Sequence, residues 1–591
     1  MVFGKHINRY YLRYAHMLLL GLAALVMVDY LQLKIPEIYR LVINGMNTGS
    51  VFIDGVQTPF TMEVLLDVIC MPMVGIILAI VLGRFGWRIT IFTAAIRVGQ
   101  GLRERMFDHA RHLSREYYQM NKVGDLMSLF TNDIETVQDC FGWGFLQLFD
   151  AAFLGTLSAV KMLRMNVGLA VLCLIPMGLL FAVASIVGSA MEKKWDYRQA
   201  CFSGLSDFSQ ESFSGIAVIK AFVMQTRELM AFRRLNEENE VANIDYTRIS
   251  VLLRILVGLF VESVMCVILG YGGYLVYNGV FDAGQLMEFI GYFTAIIWPI
   301  MAVSELIDMT SRGKASLSRI SQLLDAPVDV ADREDVEELE DVKGKIEFRD
   351  LSFRYPDGAF QALEHVSFTI EPGENIGLVG KTGSGKTTLV DLILRTYNVP
   401  DGTVFLDDRD VNTLSIHCVR EACAYVPQDN FLFSDTIENN ISFGARRPTA
   451  ADVAEAARLA DVHQDVAQFR EGYQTVLGER GVTVSGGQKQ RISIARALMK
   501  DAPVLILDDS VSAVDTGTER AILGNLRKTR QGKTTILIAH RISTIEQMDK
   551  VLFIDEGRVA GFDTHTRLYE TNAEYRRMVD LQRLEEEGRN E

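Results

Sequence analysis

The sequence contains cysteine but none of the cysteine patterns that build a metal site or a cross-linked fold. Among its 591 residues are seven cysteines, with no CxxC pair and no cluster of cysteine and histidine. Zinc sites and the disulfide frameworks of small secreted domains both depend on such spacing. We therefore interpret these residues as scattered buried or reduced thiols: Cys70, Cys140, Cys173, Cys201, Cys266, Cys418 and Cys423.

The chain also lacks an excess of positive charge. Its 59 Lys and Arg stand against 74 Asp and Glu, so the formal net charge is −15. Nucleic-acid-binding proteins normally carry a basic stripe, and no nucleic-acid partner is expected here.

A small-residue cleavage site is missing as well, although Lys5, Arg9 and Arg13 precede the first apolar run. A retained membrane span is therefore favoured over a removed signal peptide.

Long apolar runs stand beside an ordinary polar portion. Hydrophobic residues make up 49% and charged residues 23% of the chain. A chain of 591 residues is too long for one hydrophobic core, so at least two domains are expected. Six apolar stretches are long enough to span a membrane. They lie near 15–33, 64–83, 141–163, 167–190, 251–277 and 284–303. The sequence therefore predicts an all-α transmembrane domain of six spans over residues 1–325.

The gaps between these spans predict the orientation in the membrane. The long gaps 84–140 and 191–250 are rich in Arg and Lys, whereas 44–63 and 278–285 contain neither; the turn 161–166 is an exception. By the positive-inside rule the long gaps face the cytosol, and an even number of spans places both termini there. The many helix formers and alternating charges of the long gaps predict membrane helices that continue into the cytosol.

Ionisable residues inside the predicted spans are costly and are therefore functional candidates. Asp150 and Glu262 lie well inside spans, and Glu288 lies in the last one. We expect Glu262 or Glu288 to face a central aqueous or substrate cavity.

The composition changes near residue 326. The stretch 326–345 is acidic, contains proline and has little apolar content, and it predicts a linker. From 346 to 580, β-rich runs such as NIGLVG and VLILDD alternate with helical segments. That alternation predicts an α/β domain with a largely parallel sheet. The last residues, 581–591, are charged and are expected to form a frayed tail.

The strongest chemical signal lies at residues 380–387. GKTGSGKT fits the pattern GxxxxGK[ST], follows the apolar run NIGLVG and precedes the helical run TTLVDLILRTY. In this arrangement backbone N–H groups surround phosphates, Lys386 reaches the β- and γ-phosphates, and Thr387 can ligate Mg²⁺. The expected nucleotide-binding residues are Gly380, Lys381, Thr382, Gly383, Ser384, Gly385, Lys386, Thr387 and Thr388.

Two further segments carry chemistry. VLILD, residues 504–508, is an apolar run that ends in a carboxylate, and Asp508 at the edge of a buried strand suits a magnesium ligand. An ordinary core strand that ends in a turn aspartate has the same pattern.

VSGGQKQR, residues 484–491, leads into the helical run ISIARALMK. Ser485 and the N–H groups that follow it would lie at the positive end of a helix dipole, where phosphate binds.

SGGQ followed by QR, downstream of a P-loop, resembles the signature of ATP-binding cassettes. Nearly the whole chain resembles an ABC exporter half-transporter, and EYYQMNKVGDLMSLFTNDIETV and ESFSGIAVIKAF resemble the coupling segments of its membrane domain. The resemblance implies a multidomain fold, an all-α six-helix transmembrane domain plus an α/β P-loop NTPase cassette. It also implies an ATP hydrolase that drives transport by alternating access, with ATP and Mg²⁺ as ligands.

The resemblance implies roles for residues outside the P-loop. Tyr355 in FRYPDG matches the aromatic residue that stacks on adenine, and Gln428 in AYVPQDNFLF matches the Q-loop glutamine that contacts Mg²⁺ and water. Asp515 lies in the D-loop, and His540 in LIAHRIST matches the switch histidine that contacts the γ-phosphate. In the head-to-tail dimer of this family, the ATP of a partner chain is contacted by Ser485, Gly486, Gly487 and Gln488.

One position departs from the family pattern. The residue after Asp508 is usually the glutamate that polarises the attacking water, and here it is Asp509. A misplacement of about 1 Å can cost about a hundredfold in rate. We therefore expect slow hydrolysis at this chain's own P-loop, whereas its complete signature can serve an efficient site on a partner.

These features predict a multi-pass protein of the cytoplasmic membrane with the cassette in the cytosol. The expected partners are the lipid bilayer and a second half-transporter, with a heterodimer favoured and a homodimer open. A hydrophobic or amphipathic substrate is expected, multidrug or lipid-like, and drug, lipid and peptide stay open. The alternative is an ATP-gated or regulatory subunit whose own hydrolysis is dispensable. Six spans and the acidic charge argue against a soluble ABC ATPase, and the fused cassette argues against an importer.

Overall fold

Helices account for most of the chain before the acidic stretch, because an apolar segment in a bilayer must satisfy its backbone hydrogen bonds internally. The computed structural model describes residues 3–53, 56–356, 358, 360–478, 481, 484–539 and 541–590. The helices up to residue 325 are α1 (Asn8–Arg13), α2 (Ala15–Gln32), α3 (Lys34–Thr48), α4 (Met62–Val64), α5 (Met71–Ala110), α6 (Arg115–Met120), α7 (Val123–Ser128), α8 (Ile134–Met165), α9 (Val167–Ser214), α10 (Ile216–Ala221), α11 (Gln225–Tyr277) and α12 (Ala283–Leu324). A hairpin of β1 (Ser50–Ile53) and β2 (Val56–Pro59) follows α3.

The chain divides into two compact units. The first comprises Met1–Ala110 and Gly124–Asp325, and the second comprises Arg111–Val123 and Ala326–Glu591. Helix α6 therefore belongs to the second unit, although it lies within the sequence range predicted for the membrane domain.

Five helical stretches among the described residues are long and apolar enough to cross a membrane. They are Ala15–Thr48, Met62–Ala110, Val123–Met165, Gln225–Tyr277 and Ala283–Leu324. The remaining predicted span, 167–190, lies in the 48-residue helix α9, where some side chains lie outside the described residues. Helix α11 has 53 residues, which at about 1.5 Å per residue is well over twice the roughly 30 Å of a bilayer core. Such helices extend beyond the membrane, as the long gaps predicted.

The carboxylates of the first unit differ in their surroundings. Glu288 is only 4% exposed, and its side chain accepts hydrogen bonds from Arg40 at 2.8 Å and from the Tyr292 hydroxyl at 2.7 Å. The expectation that Glu288 faces a cavity is therefore wrong, because two donors compensate the buried carboxylate. Glu262 is exposed on the surface of the chain, and its proposed cavity role stays a prediction. Asp150 accepts a hydrogen bond from the Trp298 indole at 2.8 Å.

Apart from the β1–β2 hairpin, the described strands lie after the acidic stretch, where apolar runs become short and β-branched. They are β3 (Ile346–Phe353), β4 (Leu363–Ile370), β5 (Asn375–Val379), β6 (Val404–Leu406), β7 (Arg409–Asp410), β8 (Cys423–Val426), β9 (Val504–Asp508), β10 (Thr534–Ile538), β11 (Lys550–Asp555) and β12 (Arg558–Asp563). The helices are α13 (Lys386–Ile393), α14 (Ile416–Glu421), α15 (Ile437–Ser442), α16 (Ala450–Leu459), α17 (His463–Gln468), α18 (Gly486–Met499), α19 (Thr516–Thr529), α20 (Ile542–Ile545), α21 (His565–Thr571) and α22 (Ala573–Asn590).

Two sheets organise this unit. Six strands lie in the order β12-β11-β5-β10-β9-β8, parallel except for the β11–β12 pair, and four antiparallel strands lie in the order β4-β3-β6-β7. All five residues of β9 are buried, as expected for a parallel strand that is covered on both faces. The predicted α/β fold is confirmed. The antiparallel sheet adds to it, and α22 continues as a helix to Asn590 where a frayed tail was expected.

Candidate functional site

Strand register brings distant parts of the sequence to one edge of the parallel sheet. Ile538 at the end of β10 lies opposite Leu378 of β5 on one side and opposite Asp508 of β9 on the other. Val426, the last residue of β8, lies opposite Leu507. Because parallel strands end at the same edge, the P-loop after β5 and the segments after β8 and β9 converge there. Ligands of open α/β sheets bind at this carboxyl edge.

A pocket of about 290 Å³ opens at this edge, and six of the nine predicted P-loop residues lie in its wall, together with Tyr355, Gln428, Asp508 and Asp509. It is lined by Tyr355, Ala362, Thr382, Gly383, Gly385, Lys386, Thr387, Thr388, Gln428, Asp508, Asp509 and Ile538. Gly380, Lys381 and Ser384 belong to the same loop without lining the pocket. The predicted switch residue His540 lies outside the described residues.

The P-loop places Lys386 inside the protein with its amino group held by backbone. Lys386 is 7% exposed, and its Nζ donates to the carbonyl oxygens of Gly380 and Lys381 at 2.8 Å each. Burial lowers the pKa of the Lys386 ammonium group, while nearby Asp508 and Asp509 oppose that shift. An enclosed cation beside a glycine-rich loop at the start of a helix suits a polyphosphate.

Asp508 fits the ligand set of a divalent cation. The Thr387 and Tyr425 hydroxyls contact its carboxyl group, and its Oδ2 atom is buried without a hydrogen-bond partner among the described residues. Burial raises the pKa of Asp508, an effect that Thr387 and Lys386 oppose. A buried carboxylate with an unused oxygen beside a threonine hydroxyl offers the hard oxygen ligands that Mg²⁺ prefers.

Asp509 lines the pocket on a backbone that is held on both sides. Its N–H donates to the carbonyl of Ile538 at 3.0 Å, and its carbonyl accepts from the Ser512 hydroxyl at 2.9 Å. Its φ of 46° lies in the left-handed region, which aspartate tolerates better than most residues. These contacts hold the backbone of Asp509 in place. It therefore does not shift towards the pocket to compensate for a side chain that is one methylene shorter than glutamate.

The signature segment forms a preorganised helix start. Ser485 caps α18, accepting from the Gln488 N–H at 3.2 Å, while the Gln488 side chain accepts from the Ser485 N–H at 3.0 Å. A Cβ on Gly487 would lie 3.0 Å from the carbonyl oxygen of Ala513, so glycine permits this close approach of the D-loop. Ser485 and Gly486 are exposed, and no signature residue lines the pocket described above.

Asp515 serves locally as a helix cap. Its Oδ1 accepts from the N–H groups of Gly517 and Thr518 at 3.0 Å each at the start of α19. The backbone hydrogen bond from Thr518 is the main reason that the pKa of Asp515 lies below its usual range. Asp515 does not line the pocket.

Sequence reasoning missed several residues around this site. Ala362 and Ile538 line the pocket, and the Tyr425 hydroxyl contacts Asp508. Ala362 and Ile538 are ordinary apolar residues, and only strand register places them here. Tyr425 carried a usable signal, because a tyrosine next to the end of β8 and close to Gln428 must lie near the carboxyl edge.

Comparison with known proteins identifies the class. Residues 18–300 match the family "ABC transporter transmembrane region", and residues 363–512 match the family "ABC transporter". The chain belongs to the ABC transporters, with both regions on one polypeptide as in the exporters.

Individual relatives match over nearly the whole chain. It is 35% identical to the probable multidrug resistance ABC transporter ATP-binding/permease protein YheI of Bacillus subtilis, over 98% of this chain and 97% of that protein. It is 35% identical to the multidrug resistance-like ATP-binding protein MdlA of Escherichia coli, over 96% and 94%. The structure of a bacterial Atm1-family ABC exporter with ATP bound superposes with a TM-score of 0.75 at 25% identity, over 98% and 99% of the two chains.

These findings confirm the central predictions. The protein is a membrane ABC exporter subunit whose cassette binds ATP and couples its hydrolysis to transport. Exporters of this kind act as dimers in the lipid bilayer.

Proposed function

We propose that this chain is the subunit of a heterodimeric exporter that contributes a slow ATP site and the signature of a fast one. The observation that carries the proposal is Asp509, which lines the pocket where the family has glutamate, while Lys386, Thr387 and Asp508 remain in place. If the cassette were losing its activity in evolution, these residues and the capped signature helix would not be preserved together. In a homodimer both sites would hold the shortened side chain, and turnover would be slow throughout.

In the proposed slow site, the chain's own residues bind and orient MgATP. Tyr355 lies beneath the adenine, and Lys386 and the P-loop N–H groups bind the phosphates. Thr387, Gln428 and Asp508 hold the Mg²⁺ ion, which when bound neutralises charge on the β- and γ-phosphates. Asp509 and His540 act on the attacking water and the γ-phosphate. Ser485, Gly486, Gly487, Gln488 and Asp515 act at the partner's ATP.

The substrate proposed is a hydrophobic or amphipathic small molecule or lipid. YheI and MdlA are named for multidrug resistance, and a protein of Syntrophus aciditrophicus that is 32% identical over 84% of this chain is named an ATP-dependent lipid A-core flippase. The proposed location is the cytoplasmic membrane with both termini and the cassette in the cytosol. The proposed organisation is a membrane domain at 1–325, a linker at 326–345, the cassette at 346–580 and a tail at 581–591.

The test is a pair of variants in the assembled transporter, reconstituted in lipid vesicles. We expect Asp509→Asn to leave most of the ATPase activity, because the fast site uses the partner's catalytic residue. Ser485→Arg places a bulky cation where the partner's phosphates bind, and we expect it to lower turnover about tenfold or more. A purified homodimer with brisk turnover that collapses on Asp509→Asn would refute the proposal.

Vesicles also separate the exporter from the alternative of an ATP-gated or regulatory subunit. An exporter accumulates a fluorescent amphipathic dye against its gradient when MgATP is supplied on the cassette side. A gated pathway only dissipates the gradient.

A further inference from the structure

The C-terminal helix α22 packs into the same unit as the ATP pocket. Tyr575 and Val579 on this helix are fully buried and belong to the same hydrophobic core as Ile542 of α20. Gln582 follows Val579 by three residues and therefore projects from the same face of the helix. The neighbouring Leu581, by contrast, is 53% exposed. The buried face of α22 therefore directs Gln582 towards α20.

Gln582 binds the backbone at the start of α20. The N–H group of Ile542, the first residue of this short helix, donates to Gln582 Oε1 at 3.0 Å. The first N–H groups of a helix have no partner within the helix itself, and a buried donor that is left unpaired is costly. A side chain 40 residues later in the sequence therefore fixes the backbone at Ile542.

Two further side chains hold the same turn. Glu519 of α19 is 5% exposed, and its carboxylate accepts a hydrogen bond from Arg541 at 2.9 Å and another from the Thr544 hydroxyl. Arg583 of α22 pairs with Glu546 at 2.8 Å. The turn that includes α20 is thus held by α19 through side chains and by α22 through both a side chain and the backbone.

This turn follows directly on His540, the residue proposed to contact the γ-phosphate. Ile538, two residues before His540, ends β10 and lines the ATP pocket. Ile542 comes two residues after it. Consecutive Cα atoms are about 3.8 Å apart, so a displacement of Ile542 is passed to His540 across only two peptide units. His540 is therefore joined on one side to a strand fixed in the sheet and on the other to a turn held by α22.

We propose that Gln582 is a positioning residue of the ATP site, which sets the reach of His540 to the γ-phosphate by holding the backbone of Ile542. This inference rests on the role proposed for His540. Gln582 does not line the pocket, and the residues proposed to bind the adenine, the first two phosphates and Mg²⁺ lie elsewhere in the cassette. Loss of Gln582 should therefore weaken the binding of a triphosphate and leave that of a diphosphate nearly unchanged.

The measurement compares these two ligands in the purified full chain in lipid nanodiscs. A fluorescent ADP analogue is displaced either by MgADP or by the magnesium complex of a non-hydrolysable ATP analogue. The ratio of the two dissociation constants isolates the contribution of the γ-phosphate, whereas a general loosening of the fold weakens both nucleotides alike. Thermal unfolding without nucleotide records the stability of each variant.

Gln582→Leu removes the hydrogen-bond acceptor. We expect the preference for the triphosphate to fall by about twofold to tenfold, the range for loss of one hydrogen bond, and the affinity for MgADP to stay within about twofold of the wild type. Gln582→Glu keeps an oxygen at the same distance along the side chain and should restore most of the preference. Leu581→Ala is the matched control, because it changes the exposed neighbour on the same helix, and it should keep the wild-type ratio.

A double variant tests whether Gln582 acts through His540. His540→Ala by itself should lower the preference for the triphosphate. Adding Gln582→Leu to it should lower the preference no further, because the effects of residues that act as one unit are not additive.

Three results would overturn the proposal. They are a wild-type ratio in Gln582→Leu, an equal loss of affinity for both nucleotides in that variant, and additive losses in the double variant. Failure of the role proposed for His540 looks different, because His540→Ala would then keep the wild-type ratio, and the inference about Gln582 would fall with it.

Discussion

Lys386 is buried, and its Nζ donates hydrogen bonds to the backbone carbonyls of Gly380 and Lys381 at 2.8 Å each. We predict that Lys386→Ala weakens MgATP binding by about tenfold to a hundredfold, the range expected for loss of charge-assisted hydrogen bonds. Titration with a fluorescent ATP analogue measures this. Lys381→Ala is the control, because its ammonium is 71% exposed beside Asp555 and its backbone N–H survives the change; it should bind within about twofold of the wild type. An unchanged affinity for MgATP in Lys386→Ala would contradict the assignment of Lys386 to the ATP site.

Asp508 is expected to make ATP binding depend on magnesium. Its buried Oδ2 has no hydrogen-bond partner in the described part of the chain, and Thr387 contacts its carboxyl group. We predict that the wild type binds ATP more tightly with Mg²⁺ than with EDTA, and that Asp508→Asn loses about tenfold or more of this difference, because an amide is a weaker ligand for a hard cation. Calorimetry in both buffers measures it. Asp509→Asn should keep the magnesium dependence, and an equal loss in both variants would contradict the assignment.

At the scale of single elements, the P-loop contains two glycines, Gly383 and Gly385, at which glycine is required for different physical reasons. Gly383 has φ of +81° and open space where a Cβ would lie. Gly385 has φ of +100°, and its Cβ would lie 2.7 Å from Leu363 Cδ2 and 2.8 Å from the carbonyl oxygen of Ala362. Alanine is strained at both positions, by about 1–2 kcal/mol, and only at Gly385 does it also collide with β4 and the residue before it.

We therefore predict that Gly385→Ala lowers the melting temperature of the cassette more than Gly383→Ala does, and that it loses ATP binding more severely. Thermal unfolding of the full chain with and without MgATP compares the two, with MgATP raising the midpoint more in the Gly383→Ala variant. Equal effects would mean that backbone strain alone, without the collision, accounts for the requirement for glycine.

At the scale of the whole molecule, the proposed heterodimer uses this cassette at two different ATP sites. The pocket that contains Asp509 belongs to this chain, whereas the exposed start of α18 lies outside that pocket. We predict that Asp509→Glu in the assembled transporter speeds hydrolysis at the slow site by about tenfold or more, because the longer carboxylate reaches the attacking water. Single-turnover hydrolysis, with the partner's own site disabled, measures it. No change in rate would mean that features other than side-chain length keep this site slow.

The sequence by itself determined the properties that depend on local pattern. Apolar runs of spanning length predicted the helical membrane unit, and GKTGSGKT, VLILD and SGGQ predicted an ATP-binding cassette. Each of these rests on residues that are close together in the chain, so no knowledge of distant contacts was needed.

Only the tertiary structure decided which distant residues meet. Parallel register across β8, β9 and β10 brings Gln428, Asp508 and Ile538 to the P-loop, and such pairing is not encoded in any one strand. The same holds for charges. Glu288 is neutralised by Arg40, which is 248 residues away in sequence, and Asp391 pairs with Arg115, which is 276 residues away. Burial and compensation of a charge are properties of its neighbours in space, and these exist only once the chain has folded.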